Sequence, residues 1–302
     1  LPFPPAIHRG RPMRYPVAPN VTATALRDAA RLVGPARRLL SHSRIQRIAS
    51  ARDDKARDAA IRDWSAELLA ALDVRLQLDG LAHIDPRRAY VVLSLHEGLL
   101  DVPLLTQLPV PMTFVARADL AAERPMDRLL QAGRPILINP EAPSALRVVL
   151  REAERALLEG RSVAMFPQGT VLGIETAFQR GALAVAGRLE LSVLPVVLAG
   201  SHRIWEHPFS SVVRRGQRVH MDVLAPRRVE TAVDYRELER EMKTRALESQ
   251  WAQPRRYTPE RDGYWDGYRF DIDPDFAALD EQVSRHRRAP DADGTARATR
   301  TG

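Results

Sequence analysis

Short apolar runs alternate with helical patterns between residues 74 and 225, and this alternation constrains the fold more than any other feature of the chain. Val74, Leu76 and Leu78 alternate as a half-buried strand. Val91–Leu95 (VVLSL) is short and continuously apolar, as a strand buried on both faces should be. Met112–Ala116, Ile136–Ile138, Val163–Phe166 and Val193–Leu198 follow the same rule. The helical stretch between them that is easiest to bound runs from Ser144, a suitable N-cap, to Glu159, where Gly160 stops it. Strands alternating with helices predict an α/β fold. We expect a largely parallel mixed sheet flanked by helices, with an N-terminal helical region packed on or beside it.

The flanks read differently. Residues 1–20 hold Pro2, Pro4, Pro5, Pro12, Pro16 and Pro19 and should be extended and poorly ordered. Residues 21–72 form an Arg-rich amphipathic helical region, divided at Gly34-Pro35. Its last helix, about Asp53–Leu72, aligns Ile61, Trp64, Leu68 and Leu72. Such a stripe can pack on a core or lie at a membrane surface. The α/β core is expected over 73–228. Residues 229–283 bring a further helix, with Tyr235, Leu238, Met242 and Leu247 as its apolar positions. An aromatic segment, Tyr257, Tyr264, Trp265, Tyr268, Phe270 and Phe276, then wraps the domain. Residues 284–302 read as a disordered basic tail.

Composition excludes several classes. The 302 residues include no cysteine, so disulfides, thiolate metal sites and cysteine nucleophiles are ruled out. No stretch approaches the ~20 uninterrupted apolar residues of a membrane span. The net charge is +7, and of the 45 basic residues all but Lys55 and Lys243 are arginine. Either genome-wide codon usage or a surface that meets phosphate accounts for this bias. A nucleic-acid-binding reading rests on charge alone, with no recognised binding module behind it.

Two strings carry chemistry. Leu95-His96-Glu97-Gly98-Leu99-Leu100-Asp101 begins where a buried strand ends. Sites in α/β folds are built at the C-terminal edge of such strands. A turn into a helix start can bring the Asp101 carboxylate beside the His96 imidazole, fixing its tautomer while the other nitrogen takes a proton from an alcohol. Phe166-Pro167-Gln168-Gly169-Thr170 also follows a buried strand. Pro167 ends the strand, Gly169 permits a tight turn, and exposed amides there can hold an anion or a polarised carbonyl. Taken singly, each string is equally an ordinary strand-to-helix loop. Glu97 is expected to be solvated and His202 to be a polar loop residue.

Together the strings resemble those of the glycerolipid acyltransferase family, typified by 1-acylglycerol-3-phosphate acyltransferases. His96–Asp101 matches that family's His-four residues-Asp block, and Phe166–Thr170 nearly matches its Phe-Pro-Glu-Gly-Thr block. Phe114-Val115-Ala116-Arg117 looks like its second-block strand. Phe178-Gln179-Arg180-Gly181 is similar to its Phe-Lys-Arg-Gly, and Val193-Leu194-Pro195-Val196 to its fourth block. The resemblance implies transfer of a fatty acyl group from an acyl thioester to a hydroxyl of a lysophospholipid or related acceptor, as in phospholipid biosynthesis. His96 would be the general base and Asp101 its orienter. Arg117, Phe166, Pro167, Gln168, Gly169, Thr170 and Arg180 would bind substrate. No cofactor or metal is implied, the donor being acyl-CoA or acyl carrier protein. It also implies a cytoplasmic protein peripherally associated with the membrane through the N-terminal basic helices, with no nucleic-acid partner.

The departures fall on acceptor recognition. Gln168 replaces a glutamate and can neither carry charge nor act as a base. Val171 stands where many members have Arg, Asn139-Pro140 where an arginine commonly meets the acceptor phosphate, and Gln179 where lysine is common. A non-phosphate acceptor, a non-catalytic lipid-binding relative and thioester hydrolysis therefore remain open alternatives.

Overall fold

The computed structural model describes residues 42–122, 124–140, 142–169, 177–204 and 213–249. The proline-rich segment, the Arg-rich region before residue 42, the aromatic stretch and the basic tail lie outside the described residues. Two helices, α1 (His42–Ala49) and α2 (Asp54–Ala71), lead into the sheet. The strands are β1 (Arg75–Asp79), β2 (Val91–Ser94), β3 (Met112–Arg117), β4 (Ile136–Ile138), β5 (Ser162–Met165), β6 (Val193–Ala199) and β7 (Arg218–Val223). They are interleaved with α3 (Asp101–Leu105), α4 (Arg124–Gly133), α5 (Ala145–Leu158) and α6 (Arg180–Leu189), and α7 (Ala232–Glu248) follows.

The described strands form one seven-stranded sheet of order β1-β7-β6-β2-β5-β3-β4. From β6 to β4 every pairing is parallel. β7 runs antiparallel to β6, and β1 is parallel to β7. The expected α/β fold with a largely parallel mixed sheet is the one observed. β2 and β6 are buried throughout, which is why their sequences are unbroken apolar runs rather than alternating ones. The C-terminal ends of β6, β2, β5 and β3 therefore lie side by side along one sheet edge.

Each sheet face is covered by helices. Leu68, Leu69 and Leu72 from α2 and its end join Leu104 and Leu105 of α3 in one core cluster. Val149 and Ala153 of α5, Ala182 and Val185 of α6, and Tyr235, Leu238 and Met242 of α7 build the other. Burying each large side chain of this kind contributes roughly 1.5–3 kcal/mol. Ile45 and Ile48 of α1 pack with Ala132 of α4, Ile61 and Trp64.

The N-terminal helices pack beside the sheet, as expected of the helical region, while Ser144 and β7 differ from the sequence reading. The apolar stripe of α2 and the buried face of α1 are used inside the protein, so in the described part of the Arg-rich region it is the charged outer face that solvent meets. The stripe packs inward because the sheet offers an uncovered apolar face beside it. Ser144 precedes α5 without a side-chain capping bond, since its own backbone is already helical rather than extended. β7 was not anticipated as a strand, although Val219, Met221 and Val223 alternate with Arg218, His220 and Asp222.

Candidate active site

β2 delivers the chain into the middle of the sheet edge. After Ser94 the backbone turns through His96–Leu100 and enters α3, whose first residue is Asp101. Asp101 is wholly buried, and its Oδ2 accepts from the backbone amides of Glu97 at 2.6 Å and Gly98 at 2.9 Å. The same oxygen lies 2.7 Å from Nδ1 of His96. The carboxylate thus closes the loop on itself and fixes the imidazole, with the proton of the neutral ring on Nδ1 and Nε2 left as the basic nitrogen. His96 keeps partial access to solvent, 18% of its side-chain surface. A buried, hydrogen-bonded carboxylate behind a partly accessible imidazole is the pairing that general-base chemistry needs.

The adjacent strand β5 supplies the second string. Phe166 stacks on the His96 ring with centroids 3.9 Å apart and planes 16° from parallel. The two sequence strings thus meet through direct side-chain contact. Gly169 adopts a φ of 68°, a left-handed conformation that favours glycine, and its amide bonds to the Phe166 carbonyl at 3.0 Å. Pro167 and Gln168 are buried between them. Pro167 accepts from the Gln179 amide at 2.7 Å, which joins this turn to the Phe178-Gln179-Arg180 segment. Thr170 and Val171 lie outside the described residues.

The Phe178–Arg180 segment is anchored from behind by α7. Glu239 accepts from the Phe178 amide at 2.9 Å and from Lys243 Nζ at 2.5 Å. Tyr235 donates its hydroxyl to the Gln179 carbonyl at 2.9 Å. Burial, and secondarily the neighbouring Glu239, push the Tyr235 hydroxyl far above the ordinary tyrosine range.

The two basic residues singled out in the sequence lie at element ends. Arg180 opens α6 and is exposed. Arg117 ends β3 and makes a two-pronged contact with Asp119, at 3.0 Å from Nε and 2.6 Å from an Nη. That hydrogen-bonded pairing holds the Asp119 carboxyl below the usual carboxylate range.

Glu97 and His202 depart from their expected surroundings. Both are buried, and Glu97 Oε2 lies 3.1 Å from His202 Nδ1. No local signal could have paired them, because they come from the ends of different strands, β2 and β6. Among the described residues no cluster of three or more His, Asp or Glu could hold a metal ion, and no helix is long and apolar enough to cross a membrane.

The chain resembles known proteins in both sequence and fold. Residues 75–199 match the family model described as Acyltransferase. Lyso-ornithine lipid O-acyltransferase of Pseudomonas aeruginosa is 29% identical over 147 residues, covering 49% of this chain and 55% of that protein. 1-acyl-sn-glycerol-3-phosphate acyltransferase of Limnanthes alba is 26% identical over 136 residues, 44% of this chain and 48% of that protein. The chain spans about half the length of these curated relatives. The crystal structure of the 1-acyl-sn-glycerophosphate acyltransferase PlsC from Thermotoga maritima superposes with a TM-score of 0.56. That match covers 76% of this chain and 96% of the other at 20% identity, a likeness of fold. The stretch 75–199, which holds both strings, is thus similar to acyltransferases that act on glycerolipids and related lipids.

Proposed function

We propose that this chain transfers an acyl group from a thioester, carried by coenzyme A or acyl carrier protein, to a hydroxyl of a lysophospholipid or related lipid. In this reading His96 Nε2 takes the hydroxyl proton as the oxygen attacks the thioester carbonyl. The C–S bond then breaks and the proton passes to the departing thiolate. Asp101 stabilises the imidazolium formed in between. The observation that carries the reading is the contact of Asp101 Oδ2 with His96 Nδ1 at 2.7 Å, on a wholly buried carboxylate. The amides of Glu97 and Gly98 are already committed to Asp101, and that of Gly169 to Phe166. Oxyanion stabilisation therefore falls to other donors along the same edge.

The test is His96→Ala assayed with an acyl thioester and a panel of lysolipids. We expect kcat to fall at least ~100-fold, the usual worth of a general base, with the fold retained by circular dichroism. Turnover that survives in the variant overturns the reading, and liposome binding without any transfer by the parent chain supports a non-catalytic lipid-binding protein instead. Free fatty acid in place of acylated lipid would mark a hydrolase.

A second acceptor class is supported by a specific observation. Arg117 is occupied by Asp119, and Asn139-Pro140 offers no arginine at the end of β4. One relative is named for an ornithine lipid rather than for glycerol phosphate. An acceptor without a phosphate headgroup fits these residues, and the lysolipid panel should include one. The acceptor would be met at a membrane surface, which the exposed Arg47, Arg52 and Lys55 suit by charge.

A further inference from the structure

Glu97 is a buried carboxylate for which the proton-transfer scheme has no use. Its Oε2 gathers three groups from the turn that follows β6: the Gly200 amide at 3.1 Å, the Ser201 hydroxyl at 3.3 Å and His202 Nδ1 at 3.1 Å. Gly200 takes a φ of 94° to make that turn. The Arg203 guanidinium, next to His202, adds a positive charge that interacts with Glu97; burial and then Arg214 hold its pKa below the ordinary arginine value. Glu97 also gives its own amide to Asp101. One residue therefore ties the β6 turn through its side chain to the catalytic carboxylate through its backbone. His96, one position earlier, is bounded on its two sides by Asp101 and Phe166.

We propose that Glu97 and His202 form a positioning pair that locks the His96 loop to the β6 turn and sets the rate of proton removal without contributing to substrate affinity. This rests on the acyl-transfer reading above. All three donors converge on one oxygen, so glutamine at position 97 retains an acceptor where they meet, whereas alanine removes it. His202 contributes one of the three bonds, so its loss weakens the lock without abolishing it. Misplacing a catalytic group by about 1 Å can cost ~100-fold in rate, which is the scale the lock protects.

The test compares wild type, Glu97→Ala, Glu97→Gln and His202→Ala by steady-state kinetics. The same proteins are compared by the downfield proton resonance of the His96 Nδ1–H···Asp101 bond, assigned by its loss in His96→Ala. Glu97→Ala should lose about 100-fold in kcat with KM within about threefold, and its resonance should broaden or vanish. Glu97→Gln should stay within about fivefold of wild type on kcat and keep the resonance, and His202→Ala should fall between. Folded Glu97→Ala with wild-type kcat and resonance overturns the proposal, as does equal damage from Gln and Ala. A loss confined to KM overturns it too. If Glu97→Ala does not fold, Ser201→Ala/His202→Ala, which removes both side-chain donors from Glu97 Oε2, takes its place with the same criteria. If no acceptor supports His96-dependent transfer by wild type, the acyl-transfer reading fails, and the resonance alone then decides whether the pair holds His96.

Discussion

The two halves of the candidate site are built by opposite rules. On the β2 side, Asp101 collects three donors and Glu97 collects three more, all inside the protein, and Phe166 covers the His96 ring. On the β3 and α6 side, Arg180 is exposed and Arg117 leans on Asp119, whose side chain keeps half its surface. The buried half resists displacement, because each polar group removed would leave a partner unsatisfied in the interior. The exposed half can exchange a carboxylate for a ligand at little cost, since surface ion pairs are worth about 0–1 kcal/mol. The proposed reaction needs exact placement of one proton acceptor but tolerates variety in what the acceptor lipid carries, and the difference in wiring follows that division. The altered recognition residues and the intact His–Asp pair in the sequence fall on the same line.

The sharpest way to break the comparison is Asp101→Asn. Asparagine keeps an acceptor oxygen for the two amides but not the charge that stabilises an imidazolium. We expect kcat to fall at least ~100-fold while KM changes little, measured by steady-state acyl transfer. An activity loss that appears only in KM would move Asp101 to the recognition half. Next is Phe166→Leu, which removes a stacked ring pair worth about 0.5–1.5 kcal/mol while preserving bulk. Stability should fall by up to about that amount, read as a lowered thermal midpoint, and the looser His96 ring should lower kcat by up to about tenfold.

Arg117→Ala probes the exposed half. The expected outcome is unchanged kcat and a KM shift below about tenfold for acceptors with or without phosphate, in line with the small worth of a surface pair. A much larger rise confined to phosphate-bearing lysolipids would mean that Arg117 leaves Asp119 for the headgroup. Asp119→Asn, which removes the charge Arg117 pairs with, should then lower KM for those acceptors alone.

The same division governs what the sequence made legible. β2 and β6 were readable because strands buried on both faces must be apolar throughout. The His96–Asp101 contact was readable because it is local, closed by one turn into α3. β7 carried a clean two-residue alternation in Val219, Met221 and Val223, but it lies where the sheet changes direction, after a stretch without helical pattern to frame it. The Glu97–His202 pair left no trace. Their meeting depends on β2 and β6 being neighbours, which only the strand order decides. The N-terminal helices were expected to pack on or beside the sheet, but the stripe alone did not decide it, since an amphipathic stripe looks the same whether a protein core or a lipid surface covers it.

The smallest effect asks whether the exposed half is loose in its backbone as well as its side chains. Arg180 follows directly on Gln179, whose carbonyl accepts the Tyr235 hydroxyl at 2.9 Å. Tyr235→Phe deletes that bond and should cost about 1 kcal/mol of stability at neutral pH, read as a lowered thermal midpoint, with kcat unchanged. The pH dependence adds a signature. The folded protein holds the Tyr235 proton more tightly than the unfolded chain does, because burial and then Glu239 disfavour the phenolate. Its contribution is therefore complete below the unfolded tyrosine value of about 10 and is lost progressively as pH rises above it. Wild type should lose stability more steeply than Tyr235→Phe above that point, so that the two melting curves converge in alkali. Parallel curves would show that Tyr235 ionises freely in the fold, and the recognition side would then lack the rigid backing that α7 gives it.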